Sequence, residues 1–123
     1  MKIRIKGNSI RYRLTKTEIA NFGKIGYLEE RTEFLNGPVF YYCLEKRSGI
    51  DNLQASFQEN RITVFVPERV TEEWITTEVV GFNNSMPLGE GKELFLLIEK
   101  DFVCLDHTFE DQSDNYENPN KVC

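Results

Sequence analysis

A chain of 123 residues, 40% of them apolar and with a net charge of −5, has the makings of one small globular domain that buries its core without disulfides or a structural metal. No apolar run approaches the roughly 20 residues of a membrane helix, and the alternating start Met1–Lys6 lacks the apolar centre of a signal peptide. The three cysteines, Cys43, Cys104 and Cys123, are an odd number without a tight framework, which points to free thiols in a reducing, cytoplasmic compartment.

The acidic balance argues against general nucleic-acid affinity, but the charge is unevenly placed. Before Glu18 the charged residues are all bases: Lys2, Arg4, Lys6, Arg11, Arg13 and Lys16. From Asp101 onward Asp101, Asp106, Glu110, Asp111, Asp114 and Glu117 face Lys121 alone.

Taken in order, Ile3 and Ile5 alternate with Lys2, Arg4 and Lys6, the pattern of a half-buried strand with a basic outer face. Gly7-Asn8 is a turn pair. Ile10, Tyr12 and Leu14 then point one way, and Ser9, Arg11 and Arg13 the other. Thr15-Lys16-Thr17-Glu18 fits a capping box. It opens a short helix over about 16–25, with Ile19, Phe22 and Ile25 as its stripe and Gly26 as its stop. Gly23 weakens this helix, so packing must hold it.

Tyr27 to Phe34 reads as a charged edge strand, Asn36-Gly37 as a hairpin turn and Val39 to Glu45 as a central strand. Arg47 to Asn52 is a polar connection. Leu53, Ala55 and Phe57 form an alternating strand, Glu59-Asn60 a turn, and Ile62, Val64 and Val66 the returning strand. Pro67 suits the first residue of a second helix, about 68–76, on which Val70 and Trp74 share a face. Val79 to Phe82 reads as a strand, Asn83 to Lys92 as a loop and Glu93 to Ile98 as an apolar strand that Phe102 to Leu105 would continue. The segment 106–123 has no period and reads as an irregular acidic tail.

The halves 1–49 and 50–105 match at an offset of 52 residues, each reading strand, turn, strand, helix, strand, loop, strand. The expected fold is therefore β-rich α+β. Two similar ββαββ units, mainly antiparallel, would close into a barrel-like core with two short helices at its ends.

Lys6-Gly7-Asn8-Ser9-Ile10-Arg11-Tyr12-Arg13-Leu14 followed by a capped helix resembles the MazE/AbrB swapped-hairpin superfamily, over about residues 2–46. That resemblance implies an interlaced pair of hairpin units and DNA binding through Lys6, Asn8, Arg11 and Arg13, in an antitoxin or transition-state regulator. The second half departs from it, with Thr63 and Phe65 where Arg11 and Arg13 stand; a twofold reader should be basic on both copies. Gly7-Asn8-Ser9-Ile10-Arg11, Asp101-Phe102-Val103-Cys104-Leu105 and the acidic Glu110–Asp114 segment also look like a family of small uncharacterised bacterial proteins, a resemblance that implies no activity.

Arg4, Lys6, Arg11 and Arg13 form a basic stripe able to neutralise about four phosphates. It equally suits a solvated strand face or a dock for the acidic tail. Cys104, His107 and Cys123 are types that zinc accepts, though only the first two have ligand spacing. Asp111–Glu117 lacks the spacing of a calcium loop, and Gly89-Glu90-Gly91-Lys92 that of a phosphate loop. No nucleophile–base pair stands out. The expected function is a non-catalytic binding or regulatory module, monomeric or homodimeric, whose partner is a protein or DNA and not a membrane. A degenerate DNA-binding regulator is the alternative, and a metal-binding or small hydrolytic enzyme the third reading.

Overall fold

The computed structural model describes residues 1–102. Ten elements follow one another: β1 (Lys2–Lys6), β2 (Ser9–Leu14), α1 (Lys16–Ile25), β3 (Tyr27–Glu33), β4 (Val39–Arg47), β5 (Gln54–Gln58), β6 (Arg61–Pro67), α2 (Glu68–Thr76), β7 (Gly81–Gly89) and β8 (Lys92–Lys100). They form two four-stranded sheets, ordered β1-β2-β8-β7 and β3-β4-β6-β5. In the first sheet β2 lies parallel to β8, and in the second β4 lies parallel to β6; the four hairpin pairings are antiparallel. Each sheet thus takes one hairpin from 1–47 and one from 54–100, so neither stretch forms a sheet by itself.

The sheets face each other across one core. Ile10, Tyr12, Leu14, Leu96 and Ile98 from the first meet Leu44, Ile62, Val64 and Val66 from the second, all buried. At about 25 cal/mol per Å² of apolar surface removed from water, such side chains contribute roughly 1.5–3 kcal/mol each. Tyr12, fully buried, donates its hydroxyl hydrogen to Ile62 C=O across the gap at 3.3 Å.

The expected closed barrel is not found. The strands stop at two sheets, and their corners are bridged through side chains instead of a continuous backbone ladder. At one corner the Tyr42 hydroxyl on β4 donates to Met1 C=O at 2.8 Å, while the Met1 ammonium pairs with Glu18 and Glu30. At the other, Asn84 Nδ2 donates to Leu53 C=O at 2.9 Å and Ala55 N–H lies 3.4 Å from Met86 Sδ.

The helices sit together at one end of the molecule, not at opposite ends. β2 and β6 both run into a helix there, and Phe22 on α1 meets Trp74 on α2 edge to face at 6.5 Å. Thr15 caps α1 as its sequence suggests: Glu18 N–H donates to Thr15 Oγ1 at 3.3 Å and Thr15 N–H to Glu18 Oε1 at 2.9 Å. Gly26 ends the helix at φ 77°, a left-handed conformation that costs glycine nothing. Ile25 does not continue the buried stripe; it is 71% exposed, because Ile19 and Phe22 already fill the face toward the core. Pro67 is the residue before α2, extended at ψ 146°, and not its first helical residue.

A second correction concerns β7. Asn83 to Gly89 is strand, paired with Lys92–Leu97, where a loop is expected from Asn83, Asn84, Ser85 and Pro87. The strand is at a sheet edge, where proline loses no ladder bond, and a register shift between Pro87 and Gly89 absorbs it. Phe102 is exposed and lies beyond the end of β8; Val103 to Leu105 lie outside the described residues.

Candidate anion-binding face

With both helices at one end, the outer faces of the two sheets carry no covering element among the described residues. Strand register fixes what each presents. On the β1-β2-β8-β7 sheet three rows cross the face: Lys2, Arg13, Glu99 and Gly81; Arg4, Arg11, Leu97 and Asn83; Lys6, Ser9, Phe95 and Ser85. This face holds the bases Lys2, Arg4, Lys6, Arg11 and Arg13 against the carboxylates of Glu93 and Glu99.

Arg4, Lys6, Arg11 and Arg13, expected to act together, are therefore neighbours on one face. Arg4 and Arg11 are cross-strand partners. A shallow depression of about 60 Å³ is lined by Arg4, Lys6, Ser9, Ile10, Arg11 and Phe95. Asn8 is placed differently. Its side-chain amide donates to Glu93 C=O, and its own C=O accepts from Phe95 N–H at 3.1 Å, so it ties the β1–β2 turn to β8.

Sequence reasoning missed Glu99. The residue is 9% exposed. Its Oε1 accepts from Arg13 Nη2 at 2.8 Å and Nε at 3.0 Å, and Arg11 Nε stands 3.7 Å away. A carboxylate removed from water needs such partners. The only signal in the sequence is its parity: Glu99 shares the outward positions of Phe95 and Leu97, and becomes a partner for Arg13 once β8 lies parallel to β2.

The other outer face is chemically different. Cys43, fully buried, accepts from Arg61 Nη1 at 2.9 Å and from the Tyr27 hydroxyl at 3.3 Å. Arg61 also pairs with Glu29 and stacks over Tyr41, its guanidinium carbon 4.3 Å from the ring centre. Hydrogen bonds from Arg61 and Tyr27 hold the Glu29 carboxyl below its ordinary pKa of 4.5. Burial, with the Cys43 and Glu29 hydrogen bonds, pushes the Tyr27 hydroxyl up. Arg47 covers Phe65 at 3.8 Å. A wider, polar depression of about 280 Å³ lies here, lined by residues of both signs, among them Glu45, Arg47, Glu59 and Arg61. Arg61 and Arg47, the cations of this depression, are thus bound to partners of the same sheet.

Of the expected metal ligands, Cys104, His107 and Cys123 lie outside the described residues. Among the described residues no group of three His, Cys, Asp or Glu side chains is placed to hold a metal ion. Among them, too, no helix is long and apolar enough to cross a membrane.

A protein-family model matches residues 1–120, nearly the whole chain. The chain belongs to the family of unknown function DUF7009. Membership in DUF7009 assigns no chemistry, so the site must be argued from its own geometry. No curated protein and no solved structure matches the chain.

Proposed function

We propose that this protein is a non-catalytic binding module that holds an anionic ligand on the outer face of the β1-β2-β8-β7 sheet. The depression beside Arg4, Lys6, Ser9, Arg11 and Phe95 carries this reading. Its volume, about 60 Å³, is well below the roughly 300–1,000 Å³ of pockets that enclose small molecules. Such a site suits an extended ligand lying across the sheet more than an engulfed substrate. The excess of bases on this face supplies attraction that the net charge of the chain conceals.

Among anions, Phe95 favours a single-stranded nucleic acid. It is 38% exposed in a row with Lys6 and Ser9, and an exposed ring beside bases offers a stacking platform. A degenerate duplex-DNA regulator of the MazE/AbrB kind is the second reading, favoured by the exchange of hairpins between the two sheets. Its weakness is Arg61, the base of the second hairpin. That residue lies on the opposite outer face and is engaged by Glu29, Tyr27 and Cys43.

The test is titration of labelled single-stranded and duplex oligonucleotides with the full chain at about 50 and 200 mM salt. The expected result is binding to the single strand with a log–log salt slope of about −3 for roughly four phosphate contacts. Absence of binding to either at the lower salt would refute the nucleic-acid reading.

A further inference from the structure

We infer that the end of the molecule away from the helices docks a second copy of this chain, two copies meeting turn to turn about a twofold axis. The contact does not depend on the anion-binding reading above.

The two ends of the sandwich are unlike. One is closed by α1 and α2, whose Phe22 and Trp74 are fully buried. β2 and β6 run toward those helices, and β8 and β4 lie parallel to them. All four hairpin turns, β1–β2, β3–β4, β5–β6 and β7–β8, therefore gather at the opposite end. Among the described residues no element covers that end, yet the inward rows of the strands run on into it. Ile5 follows Ile3, Phe57 follows Ala55 and Leu88 follows Met86, each continuing a side chain that packs on the core. Phe34 and Leu35 stand at the β3–β4 turn. All five are at least half exposed, and Leu35 is 92% exposed.

The area fits a second protein surface. Sheets about 10 Å apart, with strands about 4.8 Å apart, bring the four turns onto one end face. Exposure of this degree gives the five side chains roughly 500 Å² of apolar surface, a patch of the size that marks an interaction site. A standard interface buries about 800 Å² per partner, and homodimer interfaces are about 65% apolar. The patch and the polar turn residues around it match both values.

Charge selects a copy of the same chain. The contacts of Met1 with Tyr42 and of Ala55 with Met86 put β1 beside β3 and β7 beside β5. The β1–β2 turn thus lies over the β3–β4 turn, and the β7–β8 turn over the β5–β6 turn. The first sheet brings Lys6 and Lys92 to this end, and the second brings Glu33 and Glu59, all exposed. A twofold axis lying in the end face, along the sheets, seats each sheet of one copy on the other sheet of its mate. Lys6 of one copy then approaches Glu33 of the other, and Lys92 approaches Glu59, each pair occurring twice. Glu33 already pairs with Arg31 of its own strand at 2.7 Å, so Lys92 and Glu59 make the cleaner test. The same carboxylates, with Glu90 in the β7–β8 turn, oppose insertion of this end into a lipid surface.

The experiment is sedimentation velocity of the full chain over a concentration series reaching about 100 μM, where an interface of standard size and micromolar affinity is occupied. The expected species has twice the 14.4 kDa mass of one chain. Leu35→Glu/Phe57→Glu, two changes at exposed positions, should leave a monomer whose far-UV circular dichroism matches the wild type. Glu59→Lys and Lys92→Glu should each weaken the dimer at least about fivefold, since each reverses one charge in two symmetric pairs. The double variant Glu59→Lys/Lys92→Glu should return to within about twofold of the wild type. A wild-type chain that stays monomeric at the highest concentration would overturn the inference, and its co-sedimentation with phosphatidylserine vesicles would assign the apolar end to lipid instead. A dimer that survives Leu35→Glu/Phe57→Glu would also overturn it, because the contact would then lie on another face. A double variant no tighter than its single parents would overturn the seating of one sheet on the other.

Discussion

Glu99 accepts two hydrogen bonds from Arg13, at 2.8 and 3.0 Å, across the parallel pair β2–β8. The contact joins the first hairpin of the chain to the last. It also sets the charge of the face proposed to bind anions, since one nearly buried carboxylate offsets part of two guanidinium groups. Glu99→Gln removes that offset and leaves Arg13 without its ionic partner. The expected result is tighter oligonucleotide binding, a salt slope steeper by about 1, and a stability loss of about 1–2 kcal/mol by urea titration. Weaker binding by the stable variant would mean that Glu99 orients the arginines for the ligand instead of neutralising them.

Two glycines separate tight packing against backbone from tight packing against a side chain. A Cβ on Gly81 would stand 2.2 Å from Ile98 C=O, and the ladder of β7 and β8 leaves that oxygen no room to move. Gly81→Ala is expected to cost more than about 3 kcal/mol or to prevent folding. A Cβ on Gly23 would meet Ile75 Cδ1 at 2.8 Å, the far end of a flexible side chain. There the helix-propensity gain of about 1 kcal/mol opposes the cost of moving Ile75. Gly23→Ala is expected to fall within about 1 kcal/mol of the wild type. Equal effects at the two positions would contradict the packing described.

The cap of α1 makes a separate prediction. Thr15 Oγ1 accepts from Glu18 N–H, and Glu18 returns the bond to Thr15 N–H. Thr15→Ala removes the first bond and is expected to lower stability by about 1 kcal/mol. Thr15→Ser, which keeps the oxygen, should lose only a few tenths. Thermal unfolding of both variants decides the point.

Acid should loosen the fold at identifiable carboxylates. Partial burial opposes ionisation of Glu18, but hydrogen bonds from the Met1 ammonium and from Thr15 outweigh it and hold its pKa below 4.5. Glu29 is held below the same value by Arg61 and Tyr27. A carboxyl whose folded pKa is depressed contributes stability that is complete above its unfolded pKa and disappears as pH falls through the folded one. Stability should therefore be flat above about pH 5 and decline on acidification below about pH 4. In Glu18→Gln the decline should be shallower. An identical acid limb in that variant would show that the Glu18 pairing contributes nothing.

Alternation carried most of the fold from sequence to structure. Ile10, Tyr12 and Leu14 against Ser9, Arg11 and Arg13 gave both strand and face, and Thr15 with Glu18 gave the start of α1. The elements that escaped did so for physical reasons. β7 is built from Asn83, Asn84, Ser85 and Pro87, residues that local preference assigns to turns and that only an edge position tolerates. Alternation says which side of a strand is buried but not which edges pair, so two sheets and a barrel predict the same pattern. Ile5 and Phe57 follow the inward parity of their strands yet are 55% and 67% exposed, because both stand next to hairpin turns at the end away from the helices. The basic stripe was legible because its members alternate within fifteen residues. Its partner Glu99 was not, being 86 residues from Arg13. Nor was the Cys43–Arg61–Tyr27–Glu29 cluster, assembled from β3, β4 and β6.

The central claim is that the ligand lies on the β1-β2-β8-β7 face and nowhere else. Fluorescence anisotropy of a labelled single-stranded oligonucleotide at about 50 mM salt, comparing Arg4→Ala/Lys6→Ala with Arg47→Ala on the opposite face, tests it most directly. Loss of two phosphate contacts should weaken binding at least about tenfold in the first variant and flatten its salt slope by about 1.4, while Arg47→Ala binds as the wild type does. Equal loss in both variants, or loss in Arg47→Ala alone, would contradict the account.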